Sequence, residues 1–300
     1  AKPSGRIAMA NKGPDKGFRA RRLSLTDVGD ALPEGSPSGT GAKRERRLSM
    51  SPEMGKKSAE VKIPETVLGT FSCHGVEPGN RQGETHAKIN QDRGGVTYPY
   101  GPNQDCALFC VFDGHGANGD KVSHYTLFQI TEKLEEKLNN GGMQNPEKAM
   151  REAFLLVDGN LKKDKTIDAE LSGTTAVVIL YQITSATTAT LWAANCGDSR
   201  AVMQDKAGKV TDITEDQKPN TPAEQARITK CGGYVSPPEE EWGGPARVWL
   251  DANMTLPGLA MARSLGDHLV DRVGVIADPV VRAAHHSPAL ACRYPRFGAA

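Results

Sequence analysis

The stretch that decides the fold is Ala-Leu-Phe-Cys-Val-Phe-Asp-Gly-His-Gly, residues 107–116. Six apolar residues follow one another without a break, and the polarity then changes at Asp113. A short continuous apolar run is typical of a strand that is buried on both faces. A carboxylate at the end of such a strand is unfavourable unless a partner neutralises it. Because Mg²⁺ and Mn²⁺ prefer oxygen ligands, the stretch predicts a divalent-cation site at Asp113.

The two residues after Asp113 extend this prediction. Gly114 has no side chain, so its carbonyl can come close to a cation, and His115 lies where it can donate a proton. The alternative is an ordinary Asp-Gly turn with an exposed histidine, which is common in hairpins. Only the rest of the chain separates these two interpretations.

Composition excludes several classes of protein. The 300 residues are 38% hydrophobic, below the usual ~45–50%, which indicates that part of the chain does not fold. The net charge of +1 gives no electrostatic reason to expect nucleic acid or a membrane surface as a partner. The six cysteines form no Cys-x-x-Cys pair and no zinc-type cluster, which favours reduced thiols in the cytoplasm or nucleus. No apolar run approaches the ~18–20 residues of a membrane span. We expect the protein to be a monomer.

The N-terminal segment, residues 1–65, differs from the rest of the chain. It is rich in Ser, Pro and Gly and carries 14 Lys and Arg against 8 Asp and Glu. Such a composition buries too little apolar surface to offset the entropy of ordering, so we predict a disordered basic tail. The phrase Arg-Arg-Leu-Ser occurs at 21–24 and again at 46–49, and each copy resembles a site for a basophilic kinase. With Ser-Pro at 51–52, the candidate phosphorylation sites are Ser24, Ser49 and Ser51, unless the repeats are chance.

Hydrophobic periodicity outlines the folded part. Residues 67–73 read as a first strand, and an apolar face recurs at helical spacing from Val122 to Leu138. Asn145-Pro146 predicts the start of a second helix, with proline at the first helical position. Residues 172–180 and 190–196 read as β-branched or apolar strands. Gly197-Asp198-Ser199 then predicts a hairpin turn into the strand that follows.

Phe-Asp-Gly-His-Gly after a hydrophobic strand resembles the signature of the metal-dependent protein serine/threonine phosphatases, the PPM or type 2C family. Five further motifs of that family occur in the chain, in the family's order: Asn-Gln-Asp at 90–92, Ser-Gly-Thr-Thr-Ala at 172–176, Asn-Cys-Gly-Asp-Ser-Arg-Ala at 195–201, Leu-Ala-Met-Ala-Arg-Ser-Leu-Gly-Asp at 259–267 and Ala-Asp-Pro-Val-Val at 277–281. The resemblance covers residues 66–281 and implies an α+β fold of two stacked antiparallel β-sheets flanked by α-helices. Periodicity alone predicts only an α+β protein.

The resemblance also implies a metal centre of two Mg²⁺ or Mn²⁺ ions. In the family pattern Asp113 bridges the ions, Gly114 supplies a carbonyl and Asp92 orients metal-bound water. Asp198 matches an aspartate that is associated with a third, weaker metal, although an ordinary turn aspartate is the alternative. Gln91 occupies a position where many members have a metal-ligating glutamate, so this contact is expected to be weaker here.

The implied reaction is hydrolysis of phosphoserine and phosphothreonine in phosphoprotein substrates. The metal ions lower the pKa of a bridging water that attacks phosphorus. His115 would protonate the leaving alkoxide, a task that needs a pKa near the working pH. Lys88 is the candidate for binding substrate phosphate, and a solvated surface lysine is the alternative.

The resemblance stops after Val281. The family continues with two further aspartates that hold the first metal, whereas this sequence has no Asp or Glu after Asp278. We therefore expect residues 282–300 to lie outside the phosphatase domain and the chain to be a weak or inactive enzyme. The alternatives are a pseudophosphatase or an inactive fragment that acts as a binding module. If the chain is fully active, Asp198, Asp267 and His285 are the first candidates for the missing ligands.

Overall fold

The computed structural model describes residues 21–25, 68–81, 83–185, 188–205, 207–239, 244–286 and 296–299. The strands, in chain order, are β1 (Arg21–Leu25), β2 (Val76–Pro78), β3 (Thr85–Ala87), β4 (Arg93–Tyr100), β5 (Cys106–Phe112), β6 (Gly114–His115), β7 (Gly173–Thr174), β8 (Ala176–Ile183), β9 (Ala189–Cys196), β10 (Ala201–Gln204), β11 (Val210–Asp212), β12 (Tyr234–Ser236), β13 (Arg247–Trp249), β14 (Pro257–Leu259), β15 (Leu265–Gly266), β16 (Val280–His286) and β17 (Arg296–Ala299). The α-helices are α1 (Gly119–Asn139), α2 (Pro146–Leu161) and α3 (Pro222–Lys230).

A six-stranded antiparallel sheet forms the centre of the fold, in the order β1-β4-β5-β8-β9-β16. The apolar run of the deciding stretch is β5, which pairs with a neighbour on each side. Leu108 and Phe112 in this strand are fully buried. The prediction of a strand buried on both faces is confirmed, and it places Asp113 at the end of a central strand.

Helices α1 and α2 cover one face of this sheet, where their apolar residues join a single core with Leu108, Cys110 and Phe112. Both helices begin and end close to the predicted positions, and Asn145 caps α2 by accepting a hydrogen bond from the Lys148 amide at 3.0 Å. The opposite face of the sheet packs against the second sheet, β11-β10-β17, where Ala201 in β10 joins the shared core. The predicted α+β architecture of stacked antiparallel sheets with outer helices is therefore confirmed.

A small sheet, β15-β7-β6, joins three distant parts of the chain at one end of the large sheet. Gly114 in β6 and Leu265 in β15 both pair with Thr174 in β7. His115 and Gly266 both pair with Gly173. This sheet therefore brings three of the sequence motifs together next to Asp113.

The predicted hairpin at Gly197-Asp198-Ser199 is wrong. β9 belongs to the six-stranded sheet and β10 to the second sheet, so these residues carry the chain from one layer to the other. Gly197 adopts φ +106°, and its amide donates to the side-chain oxygen Oε1 of Gln217 at 2.7 Å. A side chain from another segment therefore satisfies backbone groups that a hairpin would have paired with each other.

The predicted strand at residues 67–73 is also wrong over the part that the structure describes. Residues 68–73 have no strand structure, and Phe71 is exposed. The edge of β4 is instead occupied by β1. A segment with strand propensity forms a strand only where an edge is available for pairing, and this edge is already taken.

The structure describes strands inside both predicted tails. Arg21–Leu25 is an edge strand inside the segment predicted to be disordered, and the rest of residues 1–65 lies outside the described residues, so the disorder of that segment stays a prediction. At the other end, β16 continues past residue 281 to His286, and β17 pairs with β10. Main-chain pairing to an existing edge needs little side-chain burial, which is why composition did not indicate these strands. Helices that are long and apolar enough to cross a membrane are not found in the described part of the chain.

Candidate active site

The main chain of Asp113 is fixed by the neighbouring strand. Its amide donates to Thr175 Oγ1 at 3.0 Å, and its carbonyl accepts from the Thr175 amide at 2.9 Å. Thr175 Oγ1 lies 2.7 Å from Ser199 Oγ. The motifs at 107–116, 172–176 and 195–201 therefore meet at this point and determine where the Asp113 carboxylate projects.

Gly114 lies where the chain passes very close to other main-chain atoms. A Cβ at this position would lie 2.3 Å from the Gly119 carbonyl oxygen and 2.6 Å from that of Gln91. Only glycine permits such an approach. Gln91 also donates from Nε2 to the Gly116 carbonyl at 2.7 Å, so it holds the turn around His115. Asp92 is the next residue in the chain and is thereby linked to this turn.

The carboxylates of Asp92 and Asp198 act on that of Asp113 at this end of the sheet, and we call Asp92, Asp113 and Asp198 the acid side. Partial removal from water, the negative charge of Asp92 and the negative charge of Asp198 raise the pKa of Asp113 from 3.8 to about 6, although the charge of His115 opposes the change. Mutual repulsion of this kind is what a bound cation would relieve. The hard oxygen donors of Asp92 and Asp113 match the ligand preference of Mg²⁺ and Mn²⁺.

The acid side is not a complete metal shell. Among the residues that the structure describes, no group of three or more His, Cys, Asp or Glu side chains is arranged to hold a metal ion. Asp198 forms an ion pair with Lys218 through Oδ2 and Nζ, which neutralises one of the three acids. The structure thus brings together the predicted metal ligands Asp92, Asp113 and Asp198, with Asp198 bound to a lysine.

The charge of His115 also acts on Asp113, and His115 is held by a residue that the family pattern did not assign to it. Its Nε2 lies 2.7 Å from Asp267 Oδ2, and its Nδ1 is buried without a hydrogen-bond partner among the described residues. Burial lowers the pKa of His115, but the hydrogen bond and charge of Asp267, together with the charges of Asp113 and Asp198, outweigh it and leave the pKa raised. The imidazole therefore holds a proton more firmly than a free histidine. We call His115, Asp267 and Gly173 the histidine side.

Asp267 is positioned by an unusual backbone and by a second acid. The residue is buried and adopts φ +54°, a left-handed conformation that is uncommon outside glycine and often marks a functional site. Its amide donates to the Ser172 carbonyl at 2.9 Å. Asp158 on α2 accepts hydrogen bonds from the Gly266 amide at 2.9 Å and from His268 Nε2 at 3.1 Å, with its Oδ1 as the acceptor in both. Both sides of Asp267 in the chain are thus anchored to helix α2.

Gly173 makes the contact between His115 and Asp267 possible. A Cβ at this position would lie 2.1 Å from Asp267 Oδ2 and 2.9 Å from His115 Nε2. Any other residue would displace one of the two partners. The glycine of the Ser-Gly-Thr-Thr-Ala motif is therefore part of the site, although it contributes no functional group.

Sequence reasoning missed the roles of two residues in this arrangement, Asp267 and Gly173. It also proposed one residue, Lys88, that the structure does not link to the site. Asp267 was predicted at most as a replacement metal ligand, and Gly173 had no predicted role; their positions at the ends of recognised motifs were the available signal. Lys88, the predicted phosphate-binding residue, is exposed between β3 and β4. No described hydrogen bond or ion pair links the Lys88 side chain to Asp92, Asp113 or His115. The predicted phosphorylation sites Ser49 and Ser51 lie outside the described residues.

Comparison with known proteins assigns the family. The model of the family described as "Protein phosphatase 2C" matches residues 68–289, so the chain belongs to the protein phosphatase 2C family. This match extends eight residues beyond the end at 281 that the motifs had indicated. The metal-dependent phosphatase resemblance read from the sequence is confirmed.

Individual relatives agree with this assignment. "Probable protein phosphatase 2C 35" from Arabidopsis thaliana is 34% identical over 221 residues, which cover 67% of this chain and 61% of the relative. "Probable protein phosphatase 2C 61" from the same plant is 39% identical over 199 residues, covering 64% of this chain and 59% of the relative. The chain therefore spans about three-fifths of the length of these relatives. A crystal structure of serine-threonine phosphatase 2C from Toxoplasma gondii shares the fold, with a TM-score of 0.56 at 20% identity over 67% of this chain and 71% of that one.

Proposed function

We propose that the chain is a phosphoprotein phosphatase that hydrolyses phosphoserine and phosphothreonine with a metal-activated water. The observation that carries the proposal is that two different groups act on the carboxyl of Asp113. Beyond partial burial, the charge of Asp92 raises the pKa of this carboxyl, and the charge of His115, whose Nε2 lies 2.7 Å from Asp267 Oδ2, lowers it. A centre that combines cation ligands with a nearby acid suits the transfer of a phosphoryl group to water.

Asp92 and Asp113 would hold Mg²⁺ or Mn²⁺, with the Gly114 carbonyl as a further oxygen donor and Asp198 as a ligand of a third, weaker ion. Such cations, when bound, supply Lewis-acid activation of the attacking water. The chain itself fixes the Asp113 main chain through Thr175 and keeps the turn around Gly114 compact. Two cations per site are expected in a complete centre. For Asp198 to bind a metal, its ion pair with Lys218 has to break.

His115 would supply the proton that the leaving alkoxide of serine or threonine needs. Its raised pKa keeps the ring protonated closer to neutral pH. Because Nε2 is bound to Asp267 and Nδ1 is buried, proton delivery requires the ring to leave its resting position. In the resting state Asp267 therefore stabilises the protonated form of His115, and Asp267 is a positioning residue.

Lys88 remains the candidate for binding the phosphate of the substrate. It is exposed and lies four residues before Asp92, on the segment that leads into β4. A long flexible ammonium in such a position can follow an incoming phosphoprotein. Action on phosphoprotein substrates by a monomer in the cytoplasm or nucleus, with neither nucleic acid nor membrane as a partner, also remains a proposal.

The decisive experiment compares two substrates with different leaving groups. A phosphoserine peptide needs protonation of its leaving alkoxide, whereas p-nitrophenyl phosphate does not. With Mn²⁺ present, we expect His115→Gln to slow hydrolysis of the peptide by about 10²-fold or more, and hydrolysis of p-nitrophenyl phosphate much less. His86→Gln, a change at an exposed histidine in β3, serves as the control. Equal losses on both substrates would contradict the role of His115 as an acid.

A second candidate function, a binding module without turnover, is favoured by one observation. Asp198 is neutralised by Lys218, and no described group of three ligands is arranged for a metal. In that case a phosphopeptide should bind the chain, and Mn²⁺ should produce no release of inorganic phosphate. Phosphate release that rises with Mn²⁺ and is lost in Asp113→Asn would exclude it.

A further inference from the structure

Asp198 is an acid of the candidate site that a cation of the protein itself already neutralises. Its Oδ2 is bound by Nζ of Lys218. The charge of Asp198 acts on both Asp113 and His115, so this carboxylate lies close to the centre of the site. The ammonium group of Lys218 therefore lies where the proposed function places a third, weaker cation.

The chain segment that carries Lys218 is fixed by the residue before it. Gln217 is buried, and its side chain accepts from the Gly197 amide at 2.7 Å and donates to the Asn195 carbonyl at 3.0 Å. The amide of Gln217 donates to the Gly197 carbonyl at 3.1 Å. These bonds hold the main chain before Lys218 against the turn that carries Asp198. The ion pair thus joins two segments that are already aligned, so it forms at little cost in main-chain entropy.

The main chain is also held after Lys218 and against the histidine side. The Lys218 carbonyl accepts a hydrogen bond from the Thr221 amide at 3.0 Å, just before α3. The Gln217 carbonyl accepts from the Ala262 amide at 2.8 Å, five residues before Asp267. With its main chain fixed on both sides, Lys218 can move its ammonium group only by turning its flexible four-carbon stem.

The ammonium group and a divalent cation exclude each other at this carboxylate. A lysine ammonium carries only donors, and its positive charge repels another cation at short distance. A divalent ion that binds Asp198 therefore has to displace Lys218. Displacement is possible, because 41% of the Lys218 side chain is exposed and water weakens such a pair.

We propose that the ammonium group of Lys218 takes the place of a third cation at Asp198, so that a divalent ion binds there only after it displaces the lysine. The inference rests on the proposed function, because it takes Asp198 as a cation ligand, and it adds a role for Lys218. When divalent ions are scarce, the chain supplies the positive charge at this position. When they are abundant, the ion supplies the charge and Lys218 is released.

Binding of Mn²⁺ to the full, metal-free chain tests this competition without any measurement of activity. Calorimetry gives the affinities, and equilibrium dialysis counts the bound ions. In Lys218→Gln, which keeps a long polar side chain without the charge, we expect the weakest Mn²⁺ site to bind about fivefold more tightly than in the parent. Lys218→Ser should show the same gain, so the result does not depend on the folding of one variant. An unchanged weakest site in both variants would overturn the proposal.

Two controls separate the ion pair from a general effect of charge. Lys218→Arg retains a cation that can pair with Asp198, and its weakest site should stay within about twofold of the parent. Lys209→Gln removes the charge of an exposed lysine before β11 and should leave the weakest site unchanged. A gain in Lys209→Gln as large as in Lys218→Gln would show that net charge, and not the pair, sets the affinity.

A double variant assigns the gain to Asp198. When Asp198→Asn is added to Lys218→Gln, the weakest site should be lost, because its carboxylate ligand is removed. Retention of this site in the double variant would show that the ion binds elsewhere, and the proposal would be wrong.

The same titrations distinguish a failure of this inference from a failure of the proposed function. If Asp113→Asn lowers the affinity for Mn²⁺ while Lys218→Gln changes nothing, the metal centre stands and only the role of Lys218 is refuted. If neither variant changes the affinity for Mn²⁺, both the role of Lys218 and the metal centre of the proposed function are refuted.

Discussion

The two sides of the candidate site are built on opposite principles. On the histidine side, opposite charges meet at 2.7 Å, a buried aspartate holds the imidazole, and a glycine leaves room for both. On the acid side, like charges are placed together, and partial burial together with their repulsion raises the pKa of Asp113 to about 6. In the first arrangement opposite charges of protein groups balance each other, whereas the second gains stability only when a cation or a proton neutralises it.

In this site, the position of the main chain and the affinity of the side chains for cations or protons therefore have different origins. The main chain is held by hydrogen bonds under both sides, by Thr175 under Asp113 and by Ser172 under Asp267. What differs is the balance of charge at the side chains. Variants of the acid side should therefore change cation binding, and variants of the histidine side should change proton affinity.

The largest expected effect tests the acid side. Asp113→Asn should lower the affinity for Mn²⁺ by at least tenfold in calorimetry, because a neutral amide replaces a charged carboxylate ligand. The metal-free variant should be at least as stable as the parent, since a neutral amide replaces a partly buried carboxylate that the charge of Asp92 repels. Asp212→Asn, at an exposed aspartate in β11, is the control. Unchanged affinity for Mn²⁺ would show that Asp113 is not a ligand.

The next effect tests the histidine side by steric means. In Gly173→Ala the added methyl group would lie 2.1 Å from Asp267 Oδ2, so we expect the contact with His115 to break. The pKa of His115, followed by NMR, should then fall towards or below its ordinary value, because burial remains and the partner is lost. Gly159→Ala in α2 is the matched control, since nothing lies within 4 Å of its Cβ, and it should be neutral or stabilise by roughly 0.5–1 kcal/mol. An unchanged pKa of His115 in folded Gly173→Ala would contradict this account.

The two sides should act in the same direction on stability as the pH changes. The folded-state pKa of His115 is raised, so its contribution is fully present below about pH 6.5 and is lost as the pH rises through the raised value. The pKa of Asp113 is raised from 3.8 to about 6, so the folded state loses stability as the carboxyl ionises across this window. Thermal unfolding of the metal-free chain should therefore show lower stability at pH 8 than at pH 5.

Comparison with a variant isolates one of these contributions. Asp113→Asn should remove the part of the pH dependence between about pH 4 and 6, because an amide does not titrate in this window. Addition of Mn²⁺ to the parent chain at pH 8 should restore stability that the ionised carboxylates lose. A parent and a variant with the same pH profile would mean that the acids do not interact as described.

The smallest expected effect concerns Gln91, which connects the two sides. Gln91→Glu removes the hydrogen bond to the Gly116 carbonyl and should cost about 1 kcal/mol in chemical denaturation. It also adds a carboxylate beside Asp92, in the position where many family members have a metal-ligating glutamate, so affinity for Mn²⁺ should rise. Gln91→Met lacks the hydrogen bond and adds no charge, and it should show the first effect alone. If Gln91→Glu binds Mn²⁺ no better than Gln91→Met, position 91 does not face the cation.

Local sequence was informative wherever one segment determines its own structure. The apolar run before Asp113 predicted a central strand, and Asn145-Pro146 predicted the start of α2, because burial on both faces and helix capping depend on neighbouring residues. The hairpin at 197–199 and the strand at 67–73 were wrong for a common reason. In both cases the structure depends on which distant edge accepts the strand, and the local pattern does not contain that information.

The sequence by itself determined the family and predicted where the acids of the candidate site lie, since a run such as Phe-Asp-Gly-His-Gly combines a buried strand with a carboxylate at its end. Tertiary structure alone decided the partners of these residues. His115 and Asp267 are 152 positions apart, and Ser24 and Gly95 are 71 apart, yet each pair is placed together by strand register. Contacts of this kind depend on how sheets align distant segments, and no spacing of residues along the chain encodes that alignment.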